Sequence, residues 1–391
     1  MRVDEVAAQT LAAIREGGTH RSMRRFEGAQ GPRMRVDGRE VLVFAGSNYL
    51  DLAHHPEVVE AAVRAARDQG CAAGGSRLIN GNLSLHEELE EDLAKFLGVE
   101  AALVFATGYM ANVGVIPALT GAGDLVVSDA LSHASIIDGC RLTRAEVCVV
   151  PHGDLDALDR VLAEETRPGR RVLLAVDGVY SMDGDVAPVA ALCEIAQRHG
   201  AMLLLDDAHG TGTLGARGRG TAELCGVPAE AIDVQLGTLG KSLGSFGAFV
   251  AGSRALRELL VNTARSFIFS CGLAPPQVAA ARAALTVVER EPWRRERLQH
   301  NAERLRRGLD AQGVSTIPST TQIVPVQIGD NDRTMSVCER LLERGFFAHG
   351  IRHPSVPVGT ARLRITPMAT HSEAEIDALV AAVAEELARS G

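Results

Sequence analysis

Seven short apolar runs, each followed by a polar or helical stretch, constrain the fold of this chain more than any other feature. They are AALVFA (101–106), DLVVS (124–128), VCVV (147–150), VLLAV (172–176), MLLLD (202–206), DVQLG (233–237) and AFVAG (248–252). Near-continuous apolar strands are those buried on both faces, as in a parallel sheet covered by helices. Between several of them lie stretches such as ALDRVLAEE and VAALCEIAQRHG, apolar at helical spacing. The alternation predicts an α/β fold with a mainly parallel sheet flanked by helices.

The remainder divides by composition. Residues 3–15 read as a short amphipathic helix, and 18–40, with Gly, Pro and Arg, as irregular chain. From about residue 290 the character shifts to a charged helix (WRRERLQHNAERLRRGLDAQG) and a strand (QIVPVQIG). A helix (MSVCERLLERG), a strand (ARLRITP) and a closing helix (EAEIDALVAAVAEEL) follow. Three parts are expected: an N-terminal helix and arm over 1–45, a large domain over 46–289 and a smaller α/β domain over 290–391.

Charge and cysteine usage exclude several function classes. The net charge of -9 argues against a nucleic-acid binder, which needs clustered Lys and Arg. The seven Cys are scattered and form no C-x-x-C pair, so reduced thiols in the cytoplasm are expected and a metal site is not. No apolar run is long enough to span a membrane, and MRVDEVAAQTLAAIREG is neither a secretion signal nor a good transit peptide.

In an open parallel sheet, ligands sit beyond the C-terminal ends of the strands. Five such ends carry polar groups here: TGYMANVG after 106, DALSHAS with His133, DGVYSMDGD with Asp177 and Ser181, DDAHGTG with Asp206, Asp207 and His209, and TLGKSLG with Lys241. A phosphate-binding P-loop would need glycine where Gln235 stands, and Gly237 leaves a loop too tight for a triphosphate. A Schiff-base lysine fits better. It needs an aldehyde cofactor and an acid that keeps the cofactor's ring nitrogen protonated. Asp206, at the end of an apolar strand, is such an acid; His133 offers a flat ring; Gly108 opens a helix whose N–H groups can receive a phosphate.

The segments GTLGKSLG, DDAHGTGTLG, DGVYSMDGD, SHASIIDG, SNYLDLAHHPEV and GGSRLINGNLSLHEELE resemble those of the α-oxoamine synthases, from about Ser47 to the C-terminus. The resemblance implies a fold type I pyridoxal 5'-phosphate transferase, a homodimer, that condenses an amino acid with an acyl-CoA or acyl-carrier-protein thioester, with loss of carbon dioxide. It implies roles residue by residue. Lys241 is the aldimine lysine and proton shuttle, Asp206 the partner of the pyridine nitrogen, and His133 the ring that stacks on the cofactor. His209 and Ser181 bond the cofactor's 3'-oxygen. Gly108, Tyr109 and Thr238 are phosphate ligands, with Ser270 reaching across the dimer. Asn48 and Arg364 grip the substrate carboxylate, for which an arginine's planar fork is apt.

Each residue also has a plainer reading. Asp207 is expected to cap a helix, His209 taken alone reads as a core histidine, Ser181 as a turn cap and Tyr109 as core. Arg362 and Arg364 alternate on one strand, so one of them is expected to face solvent. Arg24 and Arg25 either meet the CoA phosphates or are simply solvated. Among members of the family, the one joining L-alanine to a pimeloyl thioester, as in biotin biosynthesis, resembles the chain best, through SVPVGTARLRIT, ERGFFAHGIRHPSVP and SMDGDVAPVAAL. Ser76, in GGSRLING, leaves room for alanine's methyl group. A glycine-using member acting on acetyl-CoA or succinyl-CoA, a serine-using member, an inert cofactor binder and a nucleotide-binding module remain as alternatives.

Overall fold

The structure, a computed structural model, describes residues 2–389. The chain forms a large unit, Ser47–Ser181 with Asp185–Arg297, and a small unit holding the chain up to Gly46, Met182–Gly184 and everything from Leu298 on. In this division the N-terminal and C-terminal segments belong to one unit, and the large unit runs to Arg297.

The small unit opens with β1 (Phe26–Glu27), β2 (Arg33–Val36) and β3 (Arg39–Val43), an antiparallel meander. Asp37 and Gly38, at φ 48° and 82°, form the turn between β2 and β3. Two residues at positive φ match the right-handed twist of a hairpin. Part of the stretch expected to be irregular is therefore sheet. Met34, Val36, Val41 and Val43 alternate along the two strands and bury one face together with Leu342 and Met368.

The large unit is built on β4 (Ala101–Phe105), β5 (Leu125–Asp129), β6 (Glu146–Val150), β7 (Val172–Asp177), β8 (Met202–Asp206), β9 (Val234–Thr238) and β10 (Ala248–Gly252). The sheet order is β4-β10-β9-β8-β7-β5-β6. All pairs are parallel except those of β10, which runs antiparallel to β4 and β9. Alternate residues of β7 feed two cores. Leu173 and Ala175 pack with Ile116 and Ile136, and Leu174 and Val176 with Leu158 and Leu192. Helices Gly108–Leu119 and Ala134–Leu142 therefore cover one face, and Leu155–Glu165 and Val189–His199 the other. Each fully buried Leu contributes about 1.5–3 kcal/mol.

The C-terminal part of the small unit adds β11 (Val324–Gly329), β12 (Phe346–Phe347), β13 (His349–Ile351) and β14 (Ala361–Ile365). β14 lies between β11 and β13, antiparallel to both. β12 pairs parallel with β3, and Phe44 sits in one core with Leu305, Val326, Leu341, Leu363 and Ile376. That pairing and that core join residues up to Gly46 to the C-terminal segment. No helix among the described residues is long and apolar enough to cross a membrane.

Candidate active site

The loop after β9 carries Lys241. Gly244 N–H donates to the Lys241 carbonyl at 3.0 Å, and Ser245 N–H to the Leu239 carbonyl at 2.9 Å. Gly244 has φ +59°, and a Cβ there would lie 2.4 Å from the Ala53 nitrogen, so only glycine lets this loop press on residues 52–53. Lys241 Nζ lies 2.9 Å from His209 Nε2. The other His209 nitrogen, Nδ1, meets the Tyr49 hydroxyl at 2.8 Å. His209 and Tyr49 are both buried.

Asp206 ends β8 at 5% exposure. Asn112 Nδ2 donates to its Oδ2 at 2.6 Å, and the Ala208 N–H to its Oδ1 at 3.1 Å. Asn112 Nδ2 also reaches Ser135 Oγ at 2.9 Å, and Ser135 Oγ meets His133 Nδ1 at 2.7 Å. His133 is the N-cap of helix Ala134–Leu142. Desolvation pulls its pKa down, Asp206 pulls it up and Lys241 pulls it down again. The His133 N–H donates to Asp177 Oδ2 at 2.9 Å. Burial, then the Asp206 charge, hold the Asp177 carboxyl well above its ordinary range.

These groups fit pyridoxal phosphate. Lys241 supplies an amine. Asp206 is a buried carboxylate held by neutral donors, and such an acid gains from a cation such as a protonated ring nitrogen. Helix Gly108–Leu119 begins with Thr107 as N-cap, whose hydroxyl accepts from Met110 N–H at 3.1 Å. The Gly108 and Tyr109 N–H groups precede any intrahelical acceptor, and a Cβ on Gly108 would meet nothing within 4 Å. That open helix N-terminus suits a phosphate.

Other expected residues have engagements of their own. Thr238 Oγ1 donates to the Gly247 carbonyl at 3.1 Å and accepts from Gly240 N–H at 3.2 Å. Tyr109 is exposed rather than core, and its hydroxyl bonds Asp138, which raises its pKa. Asn48 Oδ1 accepts from the N–H groups of Leu52 and Ala53 at 3.0 and 3.2 Å, and its Nδ2 donates to Asp51 at 3.1 Å. Ser76 forms an isolated bridge with Cys271, next to the half-buried Ser270. Ser181 is half-buried just after Tyr180. Asp207 caps at a distance: its Oδ2 accepts from Thr221 N–H, the first of helix Thr221–Leu224, at 2.8 Å. Burial raises its pKa to about 7.

In the small unit, Arg24 pairs with Asp37 at 3.0 Å and with Glu339. Arg362 and Arg364 are two apart on β14 and so share a face. Arg362 is 5% exposed and pairs with Asp183, and Arg364 is half-buried opposite His349, so neither faces open solvent as expected of one. The sequence reading missed Tyr49, Asn112 and Ser135 as site residues, although all three lie inside quoted motifs.

The aminotransferase class I and II family profile matches residues 39–383. An 8-amino-7-oxononanoate synthase of Geobacter sulfurreducens is 52% identical over 379 residues, 96% of each chain. A serine palmitoyltransferase of S. paucimobilis superposes with a TM-score of 0.93 at 34% identity, covering 99% of this chain and 98% of that one. An 8-amino-7-oxononanoate synthase of Francisella tularensis superposes with a TM-score of 0.77 at 25% identity, covering 89% and 98%. With a profile match over most of its length and relatives of this identity, the chain belongs to the aminotransferase class I and II family.

Proposed function

We propose that this protein is a pyridoxal-phosphate-dependent 8-amino-7-oxononanoate synthase, which condenses L-alanine with a pimeloyl thioester and releases carbon dioxide and the thiol carrier. The observation that carries the chemistry is Lys241 Nζ at 2.9 Å from His209 Nε2, with the electrostatics of Lys241 and buried Asp206 both felt at His133. The substrate choice follows relatives of that name at 52% identity over nearly the whole chain. Serine palmitoyltransferase superposes more closely but at lower identity, and backbone shape is shared across chemistries.

When bound, pyridoxal phosphate supplies an electron sink for negative charge at the amino acid's α-carbon. Lys241 would hold it and move the α-proton; proton transfer by a positioned group typically contributes about 10²–10⁴-fold. Asp206 would keep a proton on its ring nitrogen. His133 would pack on the ring, and His209 and Ser181 would hold its 3'-oxygen. Gly108, Tyr109 and Thr238 would take the phosphate, with Ser270 contributed by a second copy in a homodimer. Arg364 and Asn48 hold the substrate carboxylate, and Ser76 borders the alanine methyl. A cytoplasmic location belongs to the same reading.

The small unit also holds a cavity with a basic side. Its volume is about 400 Å³, its apolar walls include Phe26, Leu342 and Phe347, and the basic side is formed by His20, Arg21 and Arg352. Arg24 also lines it, with its charge already shared by Asp37 and Glu339.

The test is the visible spectrum of the reconstituted protein titrated separately with L-alanine, glycine and L-serine. A band that responds to alanine at the lowest concentration supports the proposal. Preference for glycine or serine moves the assignment to another member of the family, and no band at all removes Lys241 from its role.

A further inference from the structure

Tyr49 joins the site from the SNYLDLAHHPEV segment, in which only Asn48 has been given a role. It is 1% exposed, and its hydroxyl meets His209 Nδ1 at 2.8 Å across a separation of 160 residues. The backbone around it is fixed from several directions. Asn48 Oδ1 accepts from Leu52 and Ala53 N–H, and Arg294 Nη1 donates to the Leu50 carbonyl at 2.9 Å. The Lys241 loop presses on the same segment, where Gly244 leaves no room for a Cβ against Leu52 and Ala53. One short stretch therefore backs the lysine loop and sets a hydroxyl on the histidine that the lysine touches.

A neutral imidazole has one donor and one acceptor nitrogen, and the partner of one nitrogen decides what the other presents. We propose that Tyr49 is a positioning residue: by occupying Nδ1 it fixes the ring plane and tautomer of His209, so that Nε2 alone faces Lys241. The inference rests on the reading of Lys241 as the amine that moves the α-proton. Removing the hydroxyl leaves a buried Nδ1 to find another partner, and the ring gains a second orientation that turns Nε2 away. A misplaced supporting group then costs rate without costing substrate affinity.

The experiment uses protein reconstituted with pyridoxal phosphate and labelled with ¹⁵N-histidine, wild type and Tyr49→Phe. Wild-type His209 shows a single tautomer; Tyr49→Phe shows a mixture or the other one. With L-alanine and pimeloyl-CoA, kcat falls about 10–100-fold, the range known for losing a partner that orients a metal-bound histidine. The alanine KM stays within about twofold, since ground-state binding is untouched. Should Tyr49→Phe fail to fold, 3,5-difluorotyrosine at position 49 keeps shape and hydrogen bond while making the phenol more acidic. It moves the acid limb of the kcat–pH profile, whereas a space-filling role leaves the profile in place. His133, Asp177 and Asp206, which share the electrostatics of Lys241, are identical in all variants, so a moved limb reads position 49. Tyr49→Phe with wild-type kcat and an unchanged His209 tautomer, or an unmoved profile with difluorotyrosine, overturns the proposal. A wild type without synthase activity would sink the proposed function, and the tautomer comparison would still decide the role of Tyr49.

Discussion

His371 makes the stability of the small unit depend on pH in a way that can be worked out from its surroundings. Its ring is 1% exposed and stacks on Phe44, with centroids 4.1 Å apart and planes 8° from parallel. Nδ1 accepts from Met368 N–H at 2.8 Å, and Asn301 Nδ2 holds the Met368 and His371 carbonyls at 2.9 and 3.0 Å. Burial is the main reason that the pKa falls from 6.5 to about 4; Glu375 opposes this and Arg33 adds to it. The folded state thus prefers the neutral ring, and between pH 6.5 and 4 the unfolded chain binds the extra proton. The stabilisation is complete above about pH 6.5 and is lost as pH falls toward 4. At about 1.4 kcal/mol per pH unit the full effect is about 3 kcal/mol, of which roughly 1.4 kcal/mol is lost by about pH 5.5. His371→Asn keeps an acceptor for Met368 N–H but cannot titrate. It should cost about 1–2 kcal/mol at neutral pH through the lost stack and contact area. Urea denaturation of wild type and variant at pH 7.5 and 5.5 tests this. The wild type should lose about 1.4 kcal/mol more than the variant over that interval. An equal loss in both proteins, or a larger loss in the variant, would refute the reasoning.

Other substitutions probe the site more directly. Lys241→Ala should still bind pyridoxal phosphate, reversibly and without the lysine-linked visible band, and turn over no substrate; dialysis followed by a spectrum and a product assay checks both. Arg364→Ala should raise the amino-acid KM well before it lowers kcat, as removal of carboxylate binding does, which steady-state kinetics with varied L-alanine would show. Arg362→Met should destabilise the small unit by about 3–5 kcal/mol by stranding Asp183. Adding Asp183→Asn should recover part of that loss in denaturant melts.

The large sheet was legible because its strands, the exposed edge strand β6 excepted, are buried on both faces, and all seven announce themselves as apolar runs that appear where expected, within a residue or so. The β2–β3 hairpin was not read, although Asp37-Gly38 is a two-residue hairpin signal between alternating apolar positions. Arg33, Arg35, Arg39 and Glu40 mask the alternation with charge. The N-terminal segment's place beside β12 depends on a parallel pairing between residues about three hundred positions apart, which no local pattern encodes. The site shows the same division. Lys241, Asp206, His133 and His209 stand at strand ends, where α/β topology gathers functional groups. Asn112 and Tyr49 act through partners 94 and 160 residues distant, on a helix and a loop whose own sequences look like packing. Arg362 illustrates the opposite error: strand alternation was applied to residues two apart, which share a face.

The central claim is that Lys241 and its neighbours direct an alanine carbanion equivalent onto a pimeloyl thioester. The most direct test supplies L-alanine carrying ¹³C at the carboxyl carbon, with pimeloyl-CoA, to the pyridoxal-phosphate-loaded enzyme and follows every product by mass. One labelled carbon dioxide and one free CoA should appear for each unlabelled 8-amino-7-oxononanoate, and none of the three with Lys241→Ala. CoA release without labelled carbon dioxide, or turnover only when glycine or serine replaces alanine, would contradict the account.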